Sequence, residues 1–276
     1  MGFWGSWRAQ LFSPGTADLI ILLTIILLMK YALLSLLAVL VMGALQPGEA
    51  RARGSATALG PPEQLDLEGA APAFYYPPRS GKGLRPVMVY LHGRGGNPEA
   101  DCAKWGRVAR EFGWILCPSG PEDRGGGARG WANNWLASKA VVDKAVAALR
   151  EKFGRRVQLR GNTLIGFSEG AFIAMNVGVR EPETFNRWLI LAANDNYWGG
   201  EGQEELVKRY SRIKRVYLLT GEKDEVVDST RRVFDILDEA GVHVIMRTPE
   251  DLSHEIPEDR MRTLYRRPLR WLNSIK

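Results

Sequence analysis

Cysteine and histidine are scarce in this chain: 276 residues carry two of the first and three of the second. The cysteines, Cys102 and Cys117, and the scattered His92, His243 and His254 have no metal-ligand spacing, so no zinc site and no other metal cofactor is expected. Internal repeats and low-complexity tracts are absent as well, which excludes a solenoid or a disordered scaffold. No long block of one charge sign accompanies the formal net charge of +6. Arg155-Arg156, Arg231-Arg232 and the series Arg260, Arg262, Arg266, Arg267 and Arg270 fall on apparent helix surfaces or ends, so a solvated basic face is expected and no nucleic-acid partner.

What the chain does have is one long apolar run. Leu19 to Leu45 are nearly uninterrupted, with Lys30 the single charge. A helix spanning the bilayer through this run would hold Lys30 in hydrocarbon at a cost of about 2.5–3.5 kcal/mol, which many Leu and Ile residues could offset. The competing reading starts at Met29. "MKYALLSLLAVLVMGALQPGEARA" has a basic start, a short apolar core, a Pro-Gly break and an Ala50-Arg51-Ala52 cleavage pattern. We expect residues 1–52 to hold a cleaved signal that starts at Met29, with residues 1–28 an upstream extension from a misassigned start and a mature start near Arg53, or else an uncleaved anchor. Both readings export the domain, to the periplasm or beyond, with membrane contact only through an uncleaved leader. The cysteine pair suits an oxidising compartment. If Cys102 lies early in a helix and Cys117 late in the next parallel strand, both reach the same end of a sheet, and a disulfide and two buried thiols both stand as readings.

After a small, Pro/Gly-rich stretch at residues 53–62, read as a linker, compact apolar runs alternate with amphipathic ones through residues 63–276. "RPVMVYLH", "WILCP", "NTLIGF", "WLILAA", "RVYLLTG" and "HVIMRT" have the density of strands buried on both faces. "EADCAKWGRVAREFG", "SKAVVDKAVAALREKFG", "EGAFIAMNVGVRE" and "DSTRRVFDILDEAG" repeat apolar residues near the helical period. This alternation predicts an α/β domain: a mostly parallel sheet with helices on both faces and no large lid. Loops at the carboxyl ends of the strands would then form the functional rim. The Gly-rich "PEDRGGGARGWANNW" is the longest of them, and Trp131 and Trp135 within it are candidate substrate contacts, or else fill the core beneath the loop.

In "TLIGFSEGA", Gly166-Phe167-Ser168-Glu169-Gly170 has an apolar run before it and a helical pattern after it. That context suits a sharp strand-to-helix turn that lifts the Ser168 hydroxyl above the sheet and sets the Glu169 N–H at a helix start, where it can hold an oxyanion. A serine nucleophile needs a base. His243 sits within a strand-like segment and His92 leads into Gly93-Arg94-Gly95-Gly96, which leaves His254 in the loop "EDLSHEIP". The acid to orient it is Asp224 in "LLTGEKDEVV", with Asp195 in reserve and Asp228 read as a helix cap. A second oxyanion donor is expected from the Arg94 amide, with Gly93 as the fallback.

"LHGRGG", "GFSEGA", "GEKDEVV" and "SHEI", in that order from Leu91 to Ile256, resemble the α/β-hydrolase superfamily. Within it the chain is similar to small lidless esterases of the phospholipase/carboxylesterase, dienelactone hydrolase and polyhydroxybutyrate depolymerase-like groups, although Glu169 and Ala171 stand where the carboxylesterases carry Gln-Gly. The resemblance implies a Ser168–His254–Asp224 triad, no cofactor, and hydrolysis of a small-molecule or polymeric ester, or a thioester, through an acyl-enzyme. A peptidase or an envelope acyltransferase of the same fold, and a catalytically silent binding protein, are the alternative readings.

Overall fold

Single-residue alternation in the strands divides the interior into two cores. The computed structural model describes residues 21, 23–30, 59–195, 198 and 200–274. In the strand Val87–Leu91 (β3), Val87, Val89 and Leu91 enter one core while Met88 and Tyr90 enter the other. The same alternation runs through Trp114–Pro118 (β4), Asn162–Phe167 (β7), Phe185–Leu191 (β8) and Arg215–Leu219 (β9). Strands whose side chains are apolar on both faces must be covered on both. The first core takes side chains from helices Trp135–Phe153 (α2), Glu169–Arg180 (α3), Glu201–Arg209 (α4) and Val227–Glu239 (α5). The second takes them from Pro98–Ala109 (α1) and Met261–Asn273 (α6).

Eight strands form the main sheet, in the order β1-β2-β4-β3-β7-β8-β9-β10, where β1 is Glu63–Leu67, β2 Ala70–Tyr76 and β10 Val244–Arg247. The strands from β4 to β10 in this order are parallel to their neighbours, and β1 and β2 pair antiparallel at one edge. This is the architecture expected of the alternating pattern: a mostly parallel sheet flanked by helices on both faces.

Differences lie at the margins. The β1–β2 hairpin precedes the first strand run identified in the sequence, and α4 and α6 add to the helices recognised there. His243 lies just before β10 rather than within it; it is exposed, with its ring edge-on to Trp271 at 5.1 Å. Leu59 and Gly60, expected in the linker, join the domain: Leu59 packs on the second core and the Gly60 carbonyl accepts from the Tyr76 hydroxyl at 2.5 Å. Residues 21 and 23–30 are helical, and among the described residues no helix is long and apolar enough to cross a membrane. The rest of the expected leader, with its Ala50-Arg51-Ala52 pattern, lies outside the described residues.

Cys102 in α1 and Cys117 in β4 form a disulfide, with Cα atoms 5.7 Å apart and both residues fully buried. The crossover that carries the chain from β3 through α1 into β4 brings them together, because a strand and the helix preceding it pack face to face. The closed loop spans a sequence separation of 15. Chain-entropy arguments for a loop of that length give a stabilisation of about 3 kcal/mol. Cys102→Ser/Cys117→Ser is therefore expected to lower the urea unfolding free energy by about 2–4 kcal/mol, and reduction of the native protein before denaturation should bring its midpoint toward that of the double variant.

Candidate active site

Ser168 has a positive φ, with φ 55° and ψ −117° between the end of β7 and the first residue of α3. A non-glycine residue in that region is strained and persists only where its surroundings hold it. Close packing supplies the hold. A Cβ on Gly170 would collide with the carbonyl oxygens of Leu91 and His92, and one on Gly166 with the Gly170 carbonyl and the Ala171 backbone. The two glycines therefore serve close approach: they let the first turn of α3 lie directly on the ends of β3 and β7, which forces the turn to its apex at Ser168.

The residues expected to work with Ser168 converge on it. Its Oγ lies 2.9 Å from His254 Nε2, and His254 Nδ1 lies 3.0 Å from each carboxylate oxygen of Asp224. Asp224 is 3% exposed and also accepts the Val226 N–H at 3.0 Å. Two loops, one after β9 and one after β10, bring the acid and the base together. They touch so closely that a Cβ on Gly221 would overlap the Leu252 carbonyl, and Lys223 N–H donates to that carbonyl at 3.1 Å. The Phe167 ring packs 5.0 Å from the imidazole. With the Nδ1 proton given to Asp224, Nε2 presents a lone pair to the serine hydroxyl, the arrangement required of a general base. Asp195 is engaged elsewhere, in a two-point pair with Arg232 at 2.6 and 2.9 Å. Asp228 lies inside the first turn of α5 and pairs with Arg231, so it is not the cap it was expected to be; the α5 cap position is Val226.

Facing the serine is the Gly-rich loop after β3. A Cβ on Gly93 would meet Phe167 Cδ1 at 2.9 Å and Ser168 Cβ at 3.3 Å, so its backbone lies against the elbow. The Gly96 amide donates to the Gly93 carbonyl at 2.9 Å and the Gly95 amide to Arg129 O at 2.8 Å, which leaves the Gly93 and Arg94 amides outside the loop's own bracing. The Glu169 N–H opens α3, where no earlier helical carbonyl can accept it. Two main-chain donors from opposite sides of the serine, at Arg94 or Gly93 and at Glu169, are the chemistry that a developing oxyanion needs.

The Pro121–Trp135 loop takes a different part from the one expected. Glu122–Asp123 (β5) and Arg129–Gly130 (β6) pair as a short hairpin, and Arg129 N–H donates to the Gly96 carbonyl at 2.9 Å, so the loop braces the Gly-rich loop after β3. Neither tryptophan lines the crevice. Trp131 is fully buried, donates from Nε1 to the His92 carbonyl at 2.8 Å and stacks on the His92 ring at 4.9 Å. Trp135 is half-buried beneath the Arg180 guanidinium at 3.9 Å. Large rings on a loop that must be pinned to the sheet are drawn to the core by area burial. The loop residue that reaches the crevice is Asn133.

Sequence reasoning gave Glu169 a place only through its amide and missed its side chain. Its carboxylate is 3% exposed and accepts the Trp131 and Asn133 amides, each at 3.1 Å, with Arg94 Nη2 at 3.4 Å. These bonds hold Ala132 and Asn133 in the left-handed region, at φ 52° and 50°. The crevice enclosed by these elements has a volume of 280 Å³, and Ser168, Phe172, Ala192, Asn194, Val226 and His254 are among the residues lining it. Among the described residues, no group of three or more His, Cys, Asp or Glu is placed to hold a metal ion.

A strand-ordered parallel sheet with a serine on the β7–α3 elbow and a histidine and an aspartate on the following rim loops defines the α/β-hydrolase fold. Solved structures share it. The chain matches esterase PE8 at 23% identity and a TM-score of 0.57, over 73% of this chain and 97% of that one. It matches an S-formylglutathione hydrolase from Agrobacterium tumefaciens at 17% identity and a TM-score of 0.55, over 73% and 88%. It also matches a dipeptidyl peptidase 4 from Porphyromonas gingivalis at 18% identity and a TM-score of 0.54, over 76% of this chain but 34% of that one. No protein-family model matches the sequence, and neither does any curated protein.

His92 gives the site a pH-dependent brace. Buried at 1% exposure, it bridges the Gly93 carbonyl (2.8 Å from Nδ1) and the Gly120 N–H (3.1 Å from Nε2), a task only the neutral ring can do. Burial depresses its pKa below the ordinary 6.5, partly opposed by the Gly93 carbonyl. A depressed folded value means that this contribution to stability is complete above about pH 6.5 and is lost as the pH falls through the folded pKa. Urea unfolding at pH 7.5 and 5 should show a smaller acid loss for His92→Gln than for the native protein; equal losses would assign the acid sensitivity to other groups.

Proposed function

We propose that the protein is an exported serine hydrolase that cleaves carboxylic ester or thioester bonds through an acyl-enzyme. The observation that carries this reading is the continuous hydrogen-bond chain from Ser168 Oγ through His254 to the buried Asp224, at 2.9 and 3.0 Å. In the first half-reaction Ser168 Oγ bonds to the carbonyl carbon while its proton passes to His254 Nε2. The negative oxygen is held by the Glu169 amide and by that of Arg94 or Gly93. The C–O or C–S bond then breaks, and the leaving group departs with the proton from His254. A water molecule, deprotonated by the same nitrogen, attacks the acyl carbon, and Ser168 recovers its proton as the acid leaves. Asp224 stays ionised throughout and stabilises the imidazolium.

An ester is favoured over a peptide because the likeness to esterase PE8 takes in 97% of that chain, whereas only 34% of the dipeptidyl peptidase is matched. Export rests on the apolar leader and on the buried Cys102–Cys117 disulfide, a bond that cytosolic reductants discourage. The domain would work in the periplasm or outside the cell, or held at the membrane by an uncleaved leader.

The native protein is expected to react with a fluorophosphonate probe, and Ser168→Ala to lose that labelling while keeping its fold by circular dichroism. A native protein that is properly folded but unlabelled would end the hydrolase reading. Asp224→Asn should retain labelling at a reduced rate, with p-nitrophenyl acetate turnover lower by roughly 10³–10⁴. Edman sequencing of the exported form should begin near Arg53; a start within residues 1–28 would favour the anchor.

A further inference from the structure

The crevice carries a cation that the hydrolytic chemistry does not use. The Arg94 amide is one of the two candidate donors of the proposed oxyanion hole, yet its side chain also lines the crevice beside Ser168. That side chain is 50% exposed, whereas its ionic partner Glu169 is 3% exposed. The pairing is lopsided. Glu169 already accepts two main-chain amides at 3.1 Å, and it meets only Arg94 Nη2, at 3.4 Å. With its amide turned so that both ends are satisfied, Asn133 donates to Glu169 Oε1 at 3.3 Å and accepts from the same Nη2 at 2.9 Å. The guanidinium is thus held at one nitrogen by two crevice residues, one of them a buried carboxylate. Its Nη1 and Nε donors are not spent on these partners.

A guanidinium fixed in this way is suited to a planar anion. The group stays charged at all working pH values and keeps its Nη1 donors for a charge-assisted hydrogen bond to a carboxylate, and prior fixation lowers the ordering that binding requires. We propose that Arg94 is a specificity-determining residue that recognises a carboxylate on the substrate, so that the preferred esters are anionic: either half-esters of dicarboxylic acids or acyl esters of hydroxy acids. This rests on the hydrolase reading above and deepens it. The small volume of the crevice, 280 Å³, keeps such a carboxylate within a few bonds of the scissile carbonyl. The other exposed ionic group lining the crevice is Glu225, next to Asp224 in the β9–α5 loop, and it would repel an anionic group from that wall and favour the Arg94 side.

The test compares kcat/KM for matched anionic and neutral esters by a proton-release assay. Monomethyl glutarate against dimethyl glutarate places the carboxylate on the acyl side. O-acetylglycolate against its methyl ester, followed by acetate release, places it on the alcohol side. The native protein should favour the anionic member of at least one pair by about tenfold, a magnitude in keeping with a charge-assisted contact in a partly solvated site. Arg94→Ala should bring that ratio near unity, Arg94→Glu should invert it, Arg94→Lys should leave an intermediate value, and added salt should erode the native preference. Each variant is scored against its own neutral ester, so a general loss of activity cancels, and fluorophosphonate labelling reports that its site is intact. A native ratio near unity in both pairs, or a ratio unchanged in Arg94→Ala, with labelling retained, overturns this inference alone. A native protein that neither reacts with the probe nor turns over any ester overturns it together with the hydrolase reading.

Discussion

The site depends on one steric constraint: the first turn of α3 must lie against the carboxyl end of β3. Gly170 sits over the Leu91 and His92 carbonyls with no room for a Cβ, and Gly166 sits beneath the helix in the same way. From this contact the rest follows in order. The chain can leave β7 and enter α3 only through a tight turn, so Ser168 takes its strained conformation at the apex. The start of α3, with its unspent N–H groups and positive dipole end, then points across the serine at the loop that β3 feeds. Any added side chain at Gly170 would lift the helix from the sheet and separate the proposed nucleophile from the Gly93 and Arg94 amides.

The second structural theme is how the protein supports this strain with buried polar groups. A buried carboxylate and a buried imidazole are costly unless their hydrogen bonds are met. Glu169 and His92 meet theirs with main-chain groups of separate loops, Trp131–Asn133 for the one and Gly93 and Gly120 for the other. Trp131 joins the two systems, giving its amide to Glu169 and its indole N–H to the His92 carbonyl. The Gly93–Gly96 loop, the elbow and the Pro121–Trp135 segment thereby form one hydrogen-bonded body. A loop rich in glycine is made rigid by its neighbours, which is what the proposed oxyanion hole would require.

This bracing also shapes the crevice. The aromatic rings of the long rim loop are withdrawn into the core, and what lines the crevice in their place is short, polar or charged: Asn133, Asn194, Arg94 and Glu225, with Phe172, Ala192 and Val226 as the apolar share. The proposed role of Arg94 is an instance of the same economy, in which one buried acid orders a loop backbone and steadies a cation beside the nucleophile.

The central strands and the glycine-flanked turn at Ser168 were legible in the sequence because each leaves a local trace. A strand buried on both faces is a compact apolar run, and a strand-to-helix turn around a serine keeps glycines on either side. The edges were harder to read. In β2 the run Ala-Ala-Pro-Ala carries little apolar contrast, and in α6 Pro268 and four arginines interrupt a helical pattern whose apolar members, Leu264, Tyr265, Leu269 and Leu272, still reach the core. The sequence by itself determined the sheet, the crossover connections and the residue types available for chemistry, since these depend on periodicity and on contacts near in the chain. Only the tertiary structure decided which residues face the crevice: that Trp131 and Trp135 turn away, that Glu169 turns inward to order a loop 36 to 38 residues earlier in the chain, and that Arg94 stands beside Ser168. Those outcomes come from packing between loops that no local pattern connects, where a side chain's direction is settled by which distant partner satisfies it.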